Sequence, residues 1–575
     1  MSDRRWSWPF VIGVNVVAGA AAWVAAVPAA PAVARMLGAA LLVLVIPGLG
    51  WLGLTRRREL DLPRLSLAVV GLSSVACVGG AALLAITVGE PSRALFLVWI
   101  AIVTNAGFAA AGTPGTLDRR TPWSFLAIVG AVAFVVSSTA ATKLVPPLED
   151  HDMEVRGTAY GLVSDFKPYF QTNREVYLPM AHPPLFHFHV AESLVLTAEI
   201  DAVRPSYESA LRAERAQASG ESLDWMDQWR EDHRAFVERP ALAGTRAPNA
   251  LFFALVVALL GDVVVRLTRS RVAGVAAAAL YVTFPETLVR GAYAGYFSVT
   301  VFAMLTVAML FDSERGADPG GTRNLGWLAV GGAFAALVDH KTVVLILAVT
   351  LVAALQFLWD SVRLGSPRSL SRLVSIVDKK AIALGVGFSL ATFTWWGYGL
   401  LVDSATFVRD HLRMHIAHRF LLNDIRLAHD STRYAPSMME LWAELAAHTG
   451  YLFVPVAVVG IGLWIARRKR LDMVAVLAAW FLVGSVLYTL TDWRQTKHMM
   501  NQVAPAVAAA VVLVWPRRET DEDGEGASSR WSVAGRAVAG GALVVALGLN
   551  LLADARLVED FRSLTISGAS DVDGW

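Results

Sequence analysis

The chain has 575 residues, 55% hydrophobic and only 17% charged, with a formal net charge of +2. Soluble globular domains carry about 25% charged residues, so this composition excludes an ordinary soluble protein, and the near-neutral balance excludes a nucleic-acid partner. The one cysteine, Cys77, lies inside an apolar run, which rules out an intrachain disulfide and argues against a catalytic thiol.

The N-terminus, MSDRRWSWPFVIG, has a basic start and an apolar core, as a signal peptide would. Many more apolar runs follow, so it reads as an uncleaved first span. Taking about 20 residues as enough to cross a bilayer, the spans fall at 9–27, 36–54, 65–88, 94–111 and 123–141. After a long polar stretch they resume at 248–265, 272–284, 296–311, 325–338, 342–359 and 381–401. A second polar stretch precedes the last four, at 451–465, 473–490, 502–515 and 533–552. The expected fold class is therefore an all-α polytopic membrane protein of about 15 spans, within a range of about 12 to 15.

Lysines and arginines in short loops mark the cytoplasmic side. With the N-terminus inside, alternate connections are basic: Arg56 to Arg58, Arg119 with Arg120, Arg266 with Arg269 and Arg271, Arg315 with Arg323, 363–380, 467–470, and Arg517 with Arg518. The other short loops carry few cations: Arg35, Arg93, Arg290, Lys341, Arg494 and Lys497. This alternation predicts a multi-pass plasma-membrane protein with both long polar stretches and the C-terminal tail outside.

The first polar stretch opens with Glu149, Asp150, Asp152 and Glu154, directly after Pro146 and Pro147. The prolines stiffen the exit from the membrane, and an aspartate held near headgroup depth is a candidate general base; the alternative is a hydrated loop. Some thirty residues on comes HPPLFHFH, which reads as a rigid extended corner entering a helix. Its histidines are candidate metal ligands, though packing is their commoner role. From Asp201 to Glu238 the pattern predicts two short amphipathic helices.

Asp339, His340 and Lys341 form a hairpin tip between two spans, readable as snorkelling groups or, for the lysine, as a phosphate ligand. DWRQTKHMMNQ adds Arg494, Lys497 and His498 on the same face. In VRDHLRMHIAHRF the residues His411, His415 and His418 share one helical face without an accompanying glutamate, so a cationic amphipathic helix is expected there rather than a metal site. A carboxylate group and separated cations at lipid-phosphate depth suit a reaction with a phosphate-bearing lipid as leaving group and a hydroxyl as nucleophile.

These residues, in this order, resemble the GT-C membrane glycosyltransferases, specifically the protein O-mannosyltransferase-like group that includes the lipid A aminoarabinose transferases. That group has an acidic pair opening its first outer loop; here Asp152 and Glu154 stand in that region. Its His/Lys-Pro-Pro-Leu block is matched by His182-Pro183-Pro184-Leu185. A later LTKG hairpin corresponds to ALVDHKTVV, with Lys341 in the lysine's place, and a basic residue ahead of a proline-containing helix corresponds to Lys497 and Pro505. The resemblance covers roughly 123–515. It departs from the family where the acidic pair is spread out as EDHDME, where Ala181 and His182 replace an acidic residue, and where YAGYFS replaces an aspartate near Tyr296.

The resemblance implies an inverting glycosyltransferase using a polyprenyl-phosphate-linked sugar. Asp152 or Asp150 would be the base, Lys341, Lys497 and Arg494 the donor-phosphate ligands, and Glu154, His182, His340 and His498 supporting residues. A divalent ion (Mg, Mn or Zn) is left open, with Asp150, Asp152 and His182 as its candidate ligands. The acceptor would be a lipid, glycan or protein hydroxyl of the cell envelope. The expected organisation is four N-terminal spans (1–122) with no role assigned and a core module (123–402) containing the catalytic loop (142–247). A second outer loop (403–449), C-terminal spans (450–553) and an outer tail (554–575) follow. The rivals are a lipid or sugar transporter or flippase, which should carry ionisable groups at mid-membrane depth, and an O-antigen ligase- or polymerase-like enzyme, whose large loop should come later in the chain.

Overall fold

The computed structural model describes residues 6–55, 59–87, 90–143, 150–166, 183–219, 242–293, 295–313, 325–364, 379–408, 411–412, 473–490, 500–515 and 533–566. It is an all-α polytopic membrane protein. Every expected span coincides with one or more helices except 451–465, which lies outside the described residues. Among the described residues six helices are long and apolar enough to cross a membrane, or seven if a bent pair counts as one span.

The N-terminal unit consists of α1 (Trp8–Ala26), α2 (Ala32–Leu44), α3 (Ile46–Trp51), α4 (Leu62–Thr87) and α5 (Arg93–Ala111). The second expected span is broken between α2 and α3 at Val45, ahead of Pro47, which has no N–H to continue the ladder. Two short strands, Glu59–Leu60 and Thr116–Leu117, pair in parallel.

The core follows with α6 (Trp123–Lys143), α7 (Asp150–Ser164), α8 (Leu185–Leu196), α9 (Arg204–Ser219) and α10 (Ala243–Thr268). Next come α11 (Arg271–Val282) and α12 (Pro285–Ala292), bent by 72° at their junction, where Pro285 starts the second helix. The chain goes on through α13 (Phe297–Ser313), α14 (Leu325–Val338), α15 (Val343–Leu364) and α16 (Lys379–Phe407). It ends in α17 (Met473–Leu490), α18 (Val503–Val514) and α19 (Val533–Ile566). The central member is α10, buried along most of its length between α2, α6, α8, α11, α13 and α18.

The two ends of the bundle are held differently. At the end expected to be cytoplasmic, Arg266 of α10 pairs with Asp262 at 2.7 Å and reaches Asp61 at 3.4 Å, and Arg64 shares Asp61 at 3.3 Å. At the opposite end Asn249 of α10 donates to the carbonyls of Arg290, Gly291 and Tyr293, while Ser137 of α6 donates to Gly291 at 2.8 Å. Those bonds gather the end of α6, the start of α10 and the break between α12 and α13 into one polar knot.

One segment departs from the sequence reading. The helix that follows the Pro-Pro block was expected within an outer loop, but α8 is buried on every side, between α7, α10, α4 and α2. It runs antiparallel to α10: Leu194 lies against Gly244, and the His189 ring lies 5.9 Å from Phe252. From Gly244 to Phe252 a helix rises about 12 Å, and Leu185 is one turn further in. The start of α8 therefore lies level with the middle of α10. A Cβ on Gly244 would come within 2.5 Å of Thr197 Oγ1, so glycine permits this approach. The surface amphipathic expectation fits α9, where Tyr207 Oη donates to Asp165 at 2.6 Å; its companion over 220–241 lies outside the described residues. Burial first, then the Asp165 carboxylate, push the Tyr207 phenol well above the usual tyrosine range.

Candidate active site

The acidic cluster begins α7. Asp150, Asp152 and Glu154 occupy its first turns, where the helix dipole favours negative charge; nothing of their side chains lies within the description. Helix geometry turns position 152 about 200° away from position 150, whereas 154 returns to the face of 150. The choice between Asp150 and Asp152 thus becomes a choice of helix face. Among the described residues no three His, Cys, Asp or Glu side chains gather to hold a metal ion. His182, Arg494, Lys497 and His498 lie outside the described residues.

Lys341 is described fully, and it is not a snorkelling group at a loop tip. Only 5% exposed, its Nζ lies 3.9 Å from Asp339 Oδ2 and 3.3 Å from the Tyr296 hydroxyl. It also sits 4.4 Å above the Tyr296 ring and 5.1 Å from that of Phe297. Asp339 is buried; it accepts from Thr300 Oγ1 at 3.2 Å and from the Lys341 amide at 3.1 Å, and meets His340 Nδ1 at 3.2 Å. The hairpin between α14 and α15 is therefore a packed plug.

Two further cations, missed in the sequence, join Lys341 around the same turn. Arg290, paired with Glu286 at 2.8 Å, lies 5.5 Å from the Phe297 ring and 6.0 Å from that of Tyr293. Arg246, fully buried, lies 5.7 Å from the Tyr293 ring and donates to the Ala141 carbonyl at the end of α6. The YAGYFS segment, which departs from the family pattern, thus supplies the ring faces against which three cations rest, each a recognised cation–π distance. The signal available in sequence was the aromatic run itself, flanked by Arg290. Nothing local marked Arg246, which arrives through the fold.

The aromatic turn and the acidic helix belong to one end of the molecule. Arg246 grips α6 at Ala141, and α7 begins after 144–149. The histidine row, expected on a cationic amphipathic helix, is described only at His411. That ring is buried, stacked 4.9 Å from Phe407, and accepts from Trp396 Nε1 at 3.2 Å. It faces into an aromatic cluster; His415 and His418 lie outside the described residues.

No protein-family model matches the chain, and neither does any curated protein. Among solved structures, the crystal structure of ArnT from Cupriavidus metallidurans bound to undecaprenyl phosphate is matched. It is 12% identical, with a TM-score of 0.45, over 68% of this chain and 60% of that one. The chain thus spans about three-fifths of that protein's length. The chemistry of the site is read from its own residues.

Proposed function

We propose that this chain is an inverting membrane glycosyltransferase that takes a sugar from a polyprenyl-phosphate donor and passes it to a hydroxyl of a cell-envelope lipid, glycan or protein outside the plasma membrane. The observation that carries the reading is the aromatic turn Tyr293–Phe297 with Arg246, Arg290 and Lys341 around it, next to the end of α6 from which the acidic helix follows. The motif order, from the acidic cluster through His182-Pro183-Pro184-Leu185 to Lys341, supports it.

In this reaction the acceptor oxygen attacks the anomeric carbon from the face opposite the phosphate. Asp150 or Asp152 takes the hydroxyl proton. The bond from the anomeric carbon to the phosphate oxygen breaks, and its electron pair leaves with the polyprenyl phosphate. Fixed cations facing the departing phosphate stabilise the charge that develops there; Lys341 serves in that role, with Lys497 and Arg494 joining from the segment before α18. Apolar helix faces hold the prenyl chain. A divalent ion (Mg, Mn or Zn) would share the cations' task by neutralising phosphate charge.

The test uses purified protein in nanodiscs with polyprenyl-phosphate mannose, glucose and arabinose and a native envelope extract as acceptor. Wild type transfers one of these sugars, and one of Asp150→Asn and Asp152→Asn loses transfer by about 100-fold or more, the scale of a general base. Full transfer by both variants sinks the mechanism. A carrier is the second reading, favoured by His189 and Glu192, which are ionisable types buried deep in the bundle. It predicts movement of the lipid-linked sugar across a vesicle membrane with no new glycosidic bond.

A further inference from the structure

The four N-terminal spans have no role in the chemistry described so far, yet they hold the helix that follows the Pro-Pro block by its far end. Two arginines do this. Arg35 of α2 donates from Nε to Ala25 at 3.1 Å and from Nη2 to Thr197 at 2.8 Å, and its Nη1 pairs with Glu199 at 2.9 Å. Arg93 of α5 donates from Nε to Leu196 at 3.0 Å and from Nη2 to Ala22 at 2.7 Å. Both forks therefore bridge carbonyls near the end of α1, Ala22 and Ala25, to Leu196 and Thr197 at the end of α8, where helix carbonyls run out of intrahelical partners. A cation there also meets the negative end of each helix dipole.

Glu199 carries the grip onward. Its second oxygen accepts from the backbone N–H of Gly244 at 2.7 Å and from Thr197 Oγ1 at 3.0 Å. Gly244 opens α10, two residues before Arg246 and five before Asn249, the residues that hold α6 and the aromatic turn. Deeper in, Ser74 of α4 and His189 of α8 share a hydrogen bond of 2.8 Å.

We propose that the N-terminal unit is a holder that fixes the depth of α8 and the register of α10, and that Arg35, Arg93 and Glu199 are positioning residues for the candidate active site. The inference rests on the glycosyltransferase reading for its consequence, but not for its geometry. Lysine keeps the charge yet presents no planar fork, so it cannot bridge two helix ends in the same way. Arg35→Lys and Arg93→Lys separate charge from bridging.

The experiment compares wild type, the two lysine variants, their double, Glu199→Gln, and Arg64→Lys as a control at the other end of the bundle, all full length in nanodiscs. Hydrogen–deuterium exchange reads the clasp without any substrate: amides 197–203 and 243–246 exchange about tenfold faster in the double variant and unchanged in the control. Transfer from the polyprenyl-phosphate sugar identified above reads its consequence: kcat falls about tenfold in the double variant while the donor KM stays within twofold. Unchanged exchange overturns the holder. Faster exchange with full kcat overturns the positioning role and leaves a merely structural contact. Should wild type transfer nothing, the glycosyltransferase reading and the positioning role attached to it both fall, and the exchange data alone still decide the holder.

Discussion

The clasp at Arg35 and Arg93 and the turn at Tyr293–Phe297 use the same residue type for different ends. In the clasp, the guanidinium forks end on backbone carbonyls and one carboxylate, so the cations fix two helix ends against each other. At the turn, cations lie over ring faces. Two of these cations also meet carboxylates, Arg290 with Glu286 at 2.8 Å and Lys341 with Asp339 at 3.9 Å, so the turn combines ring faces with ion pairs, whereas the clasp directs its forks mainly at helix-end carbonyls.

The largest effect expected of this contrast is at Lys341. Lys341→Gln keeps a polar side chain but removes the charge; transfer in nanodiscs falls about 100-fold while the detergent-solubilised protein elutes as wild type. Retained transfer would make the turn a packing feature like the clasp. A smaller loss follows from Asn249→Leu. It strips a buried donor from three carbonyls and costs about 1–3 kcal/mol, read as an earlier midpoint in denaturant unfolding. The smallest effect on transfer is at the other end, at Asp61→Asn. There the amide oxygen still accepts from the Arg64 backbone and kcat does not change, but Asp61 is buried between Arg64 and Arg266, so loss of the shared charge lowers stability by on the order of 3 kcal/mol.

Most of the fold was legible because a membrane span is a length and an apolarity, and both are local properties. The helix limits of α4, α6 and α10 differ from the expected spans by a few residues. The break at Pro285 was also local, and explains why the 272–284 run is short for a span. What failed to show was α8. Its sequence, LFHFHVAESLVL, is too short for a span, and His187, His189 and Glu192 interrupt its apolar pattern, so it read as part of a polar loop. Those groups are tolerated because they lie inside protein, His189 against Ser74 and Glu192 beside the Cys77 thiol, rather than facing lipid. Lys341 was located by motif but its burial was not foreseen, since the carboxylate and rings that receive it come from sequence neighbours and from α13 together. The acidic cluster was legible as a cluster, and the helix adds only that its members face different ways.

The burial of α8 also sets an order of assembly. Carrying a glutamate and two histidines in only 12 residues, it cannot partition into lipid as an independent span. One wall of its slot, α4 and α2, is made before it, but the other, α10, emerges from the ribosome some fifty residues later, a delay of a few seconds at about 5–20 residues per second. Until then the segment must wait at the membrane surface, and it sinks into the bundle only when α10 has entered. The acidic helix α7 and the start of α8 are thus set against their neighbours only once α10 has entered, so no bundle built short of α10 holds the two in place.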